Sequence, residues 1–181
     1  MTRVLAAAGL VLALLAPAAQ AALDVGDRAP MFSLEAALAG KPFRFSLAEA
    51  LKSGPVVLYF FPAAFSRDCT IEAHQFAEAS DQFKALGATV IGVSSDDLET
   101  VRRFSATECR NKFAVGADAD QAVMKAYDAV LFFKTDYANR TSYVITPDGK
   151  VGYQYTSLNP NKHVANTLAA LKAWIGARKQ P

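Results

Sequence analysis

The sequence predicts an α/β domain, a central mixed β-sheet flanked by helices in three layers. Three observations predict it. Two apolar runs, Pro55-Val56-Val57-Leu58-Tyr59-Phe60-Phe61 and Thr89-Val90-Ile91-Gly92-Val93-Ser94, read as central strands buried on both faces. Each is followed by a segment whose apolar residues recur at helical spacing. The chain then closes with Pro147-Asp148-Gly149 between two β-rich runs, a hairpin signal, and a last amphipathic helix. Strands alternating with helices need helices on both faces of one sheet.

Taken in order, Gly26-Asp27-Arg28-Ala29-Pro30 is a turn, and Phe32 to Leu34 and Pro42 to Phe45 are short strands joined through Gly40. Ser46 and Glu49 stand at capping-box spacing and open a short helix. After the first long strand, a helix runs from about Ser66 to Leu86, with Ile71, Phe76 and Phe83 among its apolar positions and Gly87 as its stop. Asp96 or Asp97 caps the next helix, which carries Leu98, Val101 and Phe104. Phe113 to Gly116 is a strand and Gln121 to Tyr127 a short helix. The hairpin pairs Thr141–Ile145 with Val151–Tyr155, and the last helix, about Lys162 to Ala177, buries Val164, Leu168, Leu171 and Ile175. Trp174 reads as core packing and His163 as an exposed residue at that helix's start. The β-α-β then β-β-α order is thioredoxin-like.

The N-terminus has the form of a cleavable signal peptide over residues 1–21: Arg3, an apolar Val4–Leu15, then Ala19-Gln20-Ala21. The apolar stretch is shorter than a membrane span requires. Cleavage leaves 181 − 21 = 160 residues, Ala22 to Pro181, enough for one domain with a real core. The mature protein is therefore expected to be periplasmic or secreted, with no membrane attachment. A net charge of +2 from scattered Lys and Arg gives no sign of nucleic-acid binding. Two histidines and two cysteines at distant positions lack zinc-ligand spacing, and no metal or cofactor is expected.

Chemistry concentrates at Cys69. A buried strand feeds a proline turn at Pro62, then the hydroxyl of Ser66, then Cys69 in the first turn of a helix. A helix N-terminus presents unpaired N–H groups and the positive end of the dipole, which favour thiolate over thiol. Two cysteines in an exported chain also admit a structural disulfide between Cys69 and Cys109. A third reading, thiol–disulfide exchange of the thioredoxin type, is opposed by the absence of Cys-x-x-Cys, since Glu72 stands at the second position.

Pro62, Ser66 and Cys69 match the Pro-x-x-x-Thr/Ser-x-x-Cys signature of the peroxiredoxins, and Thr70 and Glu72 follow as in the bacterioferritin comigratory protein, or peroxiredoxin Q, branch. Arg140, in Asn139-Arg140-Thr141-Ser142-Tyr143-Val144, matches that family's distant arginine before a core strand. The mature chain thus resembles a peroxiredoxin over nearly all its length. The resemblance implies a thiol-dependent peroxidase acting on hydrogen peroxide and organic hydroperoxides. Cys69 is then the peroxidatic nucleophile, Arg140 stabilises the leaving oxygen, Ser66 bonds sulfur or peroxide, Pro62 shields the pocket, and Glu72 holds an arginine in place.

Two departures stand out. Serine replaces the commoner threonine at position 66, which loses a methyl that fixes the hydroxyl rotamer and implies slower turnover. Many relatives of the branch place a resolving cysteine five residues after the first, where this chain has His74, which reads as a helix-surface residue. The resemblance implies instead that Cys109 resolves, with Arg110 and Lys112 helping it ionise and with local unwinding around Cys69 before the disulfide forms. A one-cysteine mechanism remains the alternative. The implied partners are a peroxide and a thioredoxin-like dithiol reductant, with Phe132 and Phe133 as a loop-borne apolar patch for that contact, and the implied state is a monomer.

Overall fold

The computed structural model describes residues 22–178, so the signal-peptide segment lies outside the described residues. One seven-stranded sheet organises them, in the order β2-β1-β5-β4-β3-β6-β7. Its strands are β1 (Ser33–Leu38), β2 (Lys41–Ser46), β3 (Val56–Phe60), β4 (Thr89–Ser94), β5 (Ala114–Ala117), β6 (Thr141–Ile145) and β7 (Val151–Thr156). The helices are α1 (Leu47–Ser53), α2 (Arg67–Ala85), α3 (Leu98–Thr107), α4 (Ala122–Ala126) and α5 (His163–Arg178), the last entered through a 3₁₀ turn at Pro160–Lys162. The three central strands β3, β4 and β5 run parallel, while β1, β2, β6 and β7 are joined antiparallel. The sheet is mixed, as expected. Among the described residues no helix is long and apolar enough to cross a membrane.

Strand parity divides the core in two. On β3, Val56, Leu58 and Phe60 face α1 and α4, packing with Leu47, Leu51, Met124 and Tyr127. Val57 and Tyr59, with Phe61 just beyond, face α2, α3 and α5, packing with Phe76, Phe83, Phe104 and Leu171. Every residue of β3 is buried, which explains its unbroken apolar run. Opposite Tyr59 on β4 stands Gly92, where a Cβ would lie 2.7 Å from the Tyr59 hydroxyl oxygen. Glycine there makes room for the Tyr59 ring, which stacks on Phe76 at 4.2 Å.

Local signals behave as the sequence suggests, with exceptions. Ser46 accepts from the Glu49 N–H, but the Glu49 carboxylate pairs with Lys52 instead of closing a capping box. Asp97 caps α3 by accepting from Thr100 N–H at 2.7 Å. Val164, Leu168 and Leu171 are buried, whereas Trp174 and Ile175 only half-bury against the edge of the core, where α5 runs past the sheet.

Candidate active site

The site forms where β3 ends and α2 begins. From Phe61 the chain turns through half-buried Pro62 and passes Phe65 in a left-handed conformation (φ +63°). It enters α2 at Arg67, so that Cys69 falls in the first turn. The turn is held from outside by Asp96, which accepts from the Ala64 N–H at 2.7 Å and from the Ser94 hydroxyl at 2.8 Å. Cys69 is 1% exposed. Both cysteines are free thiols, so the two are not bridged in this structure.

Arg140 reaches Cys69 by strand parity. It lies two residues before Ser142 and shares the face of Ser142 and Val144, the face on which α2 packs. Its Nη2 donates to Cys69 Sγ at 3.3 Å, its Nη1 to Glu72 Oε2, and its Nε to the Leu158 carbonyl at 3.0 Å. The three bonds fix the guanidinium plane in the planar, multi-donor manner particular to arginine. Glu72, one turn after Cys69 on the same side of α2, is fully buried, and burial pushes its carboxyl up to about 8 despite the opposing pull of Arg140.

Ser66 differs from expectation. It occupies the N-cap position of α2 without capping, and its exposed hydroxyl donates to the Ala63 carbonyl at 3.0 Å. A second correction concerns His163, which is fully buried and not exposed. The 3₁₀ turn folds it beneath β6 and β7, where it meets the Ser142 hydroxyl through Nδ1 and the Ser157 carbonyl through Nε2, each at 2.8 Å. Burial pulls the imidazole down to about 4, with Arg140 acting the same way against the Ser157 hydrogen bond.

Cys109 lies in the turn just past α3 and is fully buried. Its thiol is pushed well up by burial and then by Glu108. Arg110 and Lys112 do not help it ionise: left-handed Arg110 and Asn111 (φ +50° and +58°) carry the chain outward, and the two cations pair with Glu78 (3.2 Å) and Asp81 (3.6 Å) on α2. His74, half-buried, bonds Glu108 at 2.9 Å. Together His74, Glu78 and Asp81 lace the Cys109 turn to one side of α2. Phe132 and Phe133 are strongly exposed, on a loop whose Asp136 carbonyl accepts from Ser95 beside the Asp96 clamp.

The AhpC/TSA family profile matches residues 25–154. This chain belongs to the AhpC/TSA family of peroxiredoxins. It is 34% identical over 158 residues to the putative peroxiredoxin YkuU of Bacillus subtilis (strain 168), covering 82% of this chain and 87% of that protein. It is 31% identical over 149 residues to the chloroplastic peroxiredoxin Q of Oryza sativa subsp. japonica, covering 82% of this chain and 66% of the rice protein. The crystal structure of peroxidoxin BcpB from Mycobacterium tuberculosis superposes with a TM-score of 0.72 at 31% identity, over 82% of this chain and 96% of that one. AhpC of Enterococcus faecalis, 18% identical with a TM-score of 0.76, shares the fold. As a peroxiredoxin the protein is a thiol-dependent peroxidase with a thioredoxin-like fold.

Proposed function

We propose that Cys69 is the peroxide-reacting thiolate and that Cys109 resolves it. The observation that carries this reading is the Arg140 guanidinium bonded to the Cys69 sulfur in a buried site. The Cys69 thiolate attacks the terminal oxygen of a hydroperoxide, the O–O bond breaks, and the alkoxide or hydroxide leaves to be protonated by water. Cys69 becomes a sulfenic acid. Arg140 faces the charge that develops on the departing oxygen, a preorganised donor in a water-poor site. Glu72 is a positioning residue that acts through Arg140.

The sulfenic acid then condenses with the Cys109 thiol, forming the disulfide and releasing water, and a dithiol protein reduces the disulfide by exchange. Glu108 meets α2 at His74, five residues past Cys69, about 7.5 Å along the helix axis at about 1.5 Å per residue. A disulfide needs Cα atoms within about 7 Å, and in this reading the first turn of α2, which buries Cys69, unwinds to bring the two together. The exposed Phe132–Phe133 pair offers the reductant an apolar contact. The signal-peptide form of residues 1–21 supports export, where such a reductant must be supplied against an oxidising environment.

The test is mass spectrometry of the reduced protein after one equivalent of hydrogen peroxide, beside Cys109→Ser. The expected outcome is loss of two hydrogens in the parent and a trapped Cys69 sulfenic acid in the variant. A Cys69 that stays a thiol in both would overturn the reading.

A further inference from the structure

Behind Cys69 the buried polar chain continues past the arginine. Glu72 Oε2 accepts from Arg140, but Oε1, equally buried, has no hydrogen-bond partner among the described residues. His163 Nδ1 lies 3.6 Å from it, with both side chains fully buried. The tautomer of His163 follows from its other nitrogen: Nε2 faces the Ser157 carbonyl at 2.8 Å, so Nε2 carries a hydrogen, and in the neutral ring Nδ1 is a bare acceptor. The single lone pair of Nδ1 then accepts from the Ser142 hydroxyl at 2.8 Å, so the ring offers an ionised Glu72 Oε1 an electron-rich nitrogen and no proton. In a buried site, both the missing bond and the repulsion are costly.

One proton removes the conflict. Carried on Oε1 it leaves a neutral carboxyl beside a neutral ring; carried on Nδ1 it faces Ser142 Oγ at 2.8 Å and the carboxylate at 3.6 Å. The Ser142 hydroxyl, 2.8 Å from Nδ1, serves both arrangements because it donates to a bare nitrogen and accepts from a protonated one. Charge counting points the same way. Thiolate, guanidinium and carboxylate together would leave the buried site with a net negative charge, whereas one proton on the Glu72–His163 couple leaves thiolate and guanidinium balanced.

We propose that Glu72 and His163 hold one proton between them, seated on Glu72 near neutral pH, so that the full charge of Arg140 is left to Cys69. His163 is thereby a positioning residue that governs the charge of the site without touching the peroxide. Burial of Glu72 and of His163 shifts both groups in the direction that leaves a single proton on the couple near neutral pH. The groups facing the couple are Cys69 on α2, Arg140 and Ser142 around β6, the Tyr155 ring at 4.8 Å on β7, and Tyr59 on β3, which burial keeps neutral. The inference rests on Cys69 as the reacting thiolate.

Infrared difference spectroscopy between the parent and Glu72→Gln, at about pH 7, should show a protonated carboxyl band that the variant lacks. In single-turnover oxidation by hydrogen peroxide, each protein normalised to its own rate near pH 7, the parent should slow about tenfold towards about pH 9 as Glu72 ionises, a limb that Glu72→Gln lacks. His163→Leu should move that limb to lower pH, because it removes the electron-rich nitrogen that disfavours the ionised carboxylate. Superimposable parent and Glu72→Gln profiles, or no carboxyl band, would overturn the proposal. A Cys69 inert to peroxide in every variant would instead overturn the peroxidatic reading, while the infrared band would still decide where the proton is.

Discussion

At the scale of single residues, chemistry rests on the one guanidinium that bonds the Cys69 sulfur. The sulfur's hydrogen-bond donor is Arg140 Nη2, and the same guanidinium is tied at Nη1 and Nε to Glu72 and Leu158. Arg140→Ala should therefore slow Cys69 oxidation by about 10²–10³-fold, the usual consequence of losing one preorganised donor to a developing anion. Arg140→Lys should recover little of it, because an ammonium cannot make the three bonds in one plane. Stopped-flow oxidation of the reduced protein checks both. The sequence made Cys69, Arg140, Glu72, Pro62 and Ser66 visible because their motif is local or flanks a core strand. It could not place the Ser66 hydroxyl, whose rotamer is settled by the neighbouring Ala63 carbonyl. His163 was misread for a related reason: a histidine at a helix start gives no sign of its side until the helix docks.

At the scale of elements, the site is a turn clamped on one side and a helix laced on the other. Asp96 holds the 62–66 turn through Ala64 and also binds Ser94 at the end of β4. Asp96→Ala should lower unfolding stability by about 1–3 kcal/mol, the cost of leaving partly buried donors unpaired. It should also speed disulfide formation after peroxide, since the closed turn opposes unwinding of α2. Denaturant titration and quenched-flow mass spectrometry would show the two effects together, and slower bridging in the variant would contradict the unwinding step. In the sequence, Asp96 and Asp97 were equal candidates for one cap. Only the approach of the β3–α2 turn to the β4–α3 turn separates their roles, and that is a tertiary fact. Arg110 and Lys112 mislead similarly: adjacent to Cys109 in sequence, they are turned away by two left-handed residues towards the acids of α2.

At the scale of the whole molecule, the buried couple shapes stability against pH. His163 is depressed from 6.5 to about 4, so its contribution is present above about pH 6.5 and is lost as pH falls towards 4, up to about 3 kcal/mol. Glu72 is raised from 4.5 to about 8, so its contribution is present below about pH 4.5 and is lost as pH rises through 8. The slopes oppose each other between about pH 4.5 and 6.5, giving a flat top with a decline on the alkaline side. Urea unfolding across this range should show that plateau, and Glu72→Gln should remove the alkaline decline. The fold itself was legible almost strand by strand, because its central strands are buried on both faces and its helices are amphipathic. What stayed hidden was the coupling of distant segments, as where the turn after β7 meets α2 under the sheet.

The lacing of the Cys109 turn to α2 has a consequence for recognition. Its three rungs, His74–Glu108, Glu78–Arg110 and Asp81–Lys112, lie outside the core that hides both sulfurs. If bridging parts them, it releases a short basic stretch of chain. Oxidation is then announced at the surface as a change of outline and charge, and a passing protein can tell the spent enzyme from the ready one before it meets a sulfur atom.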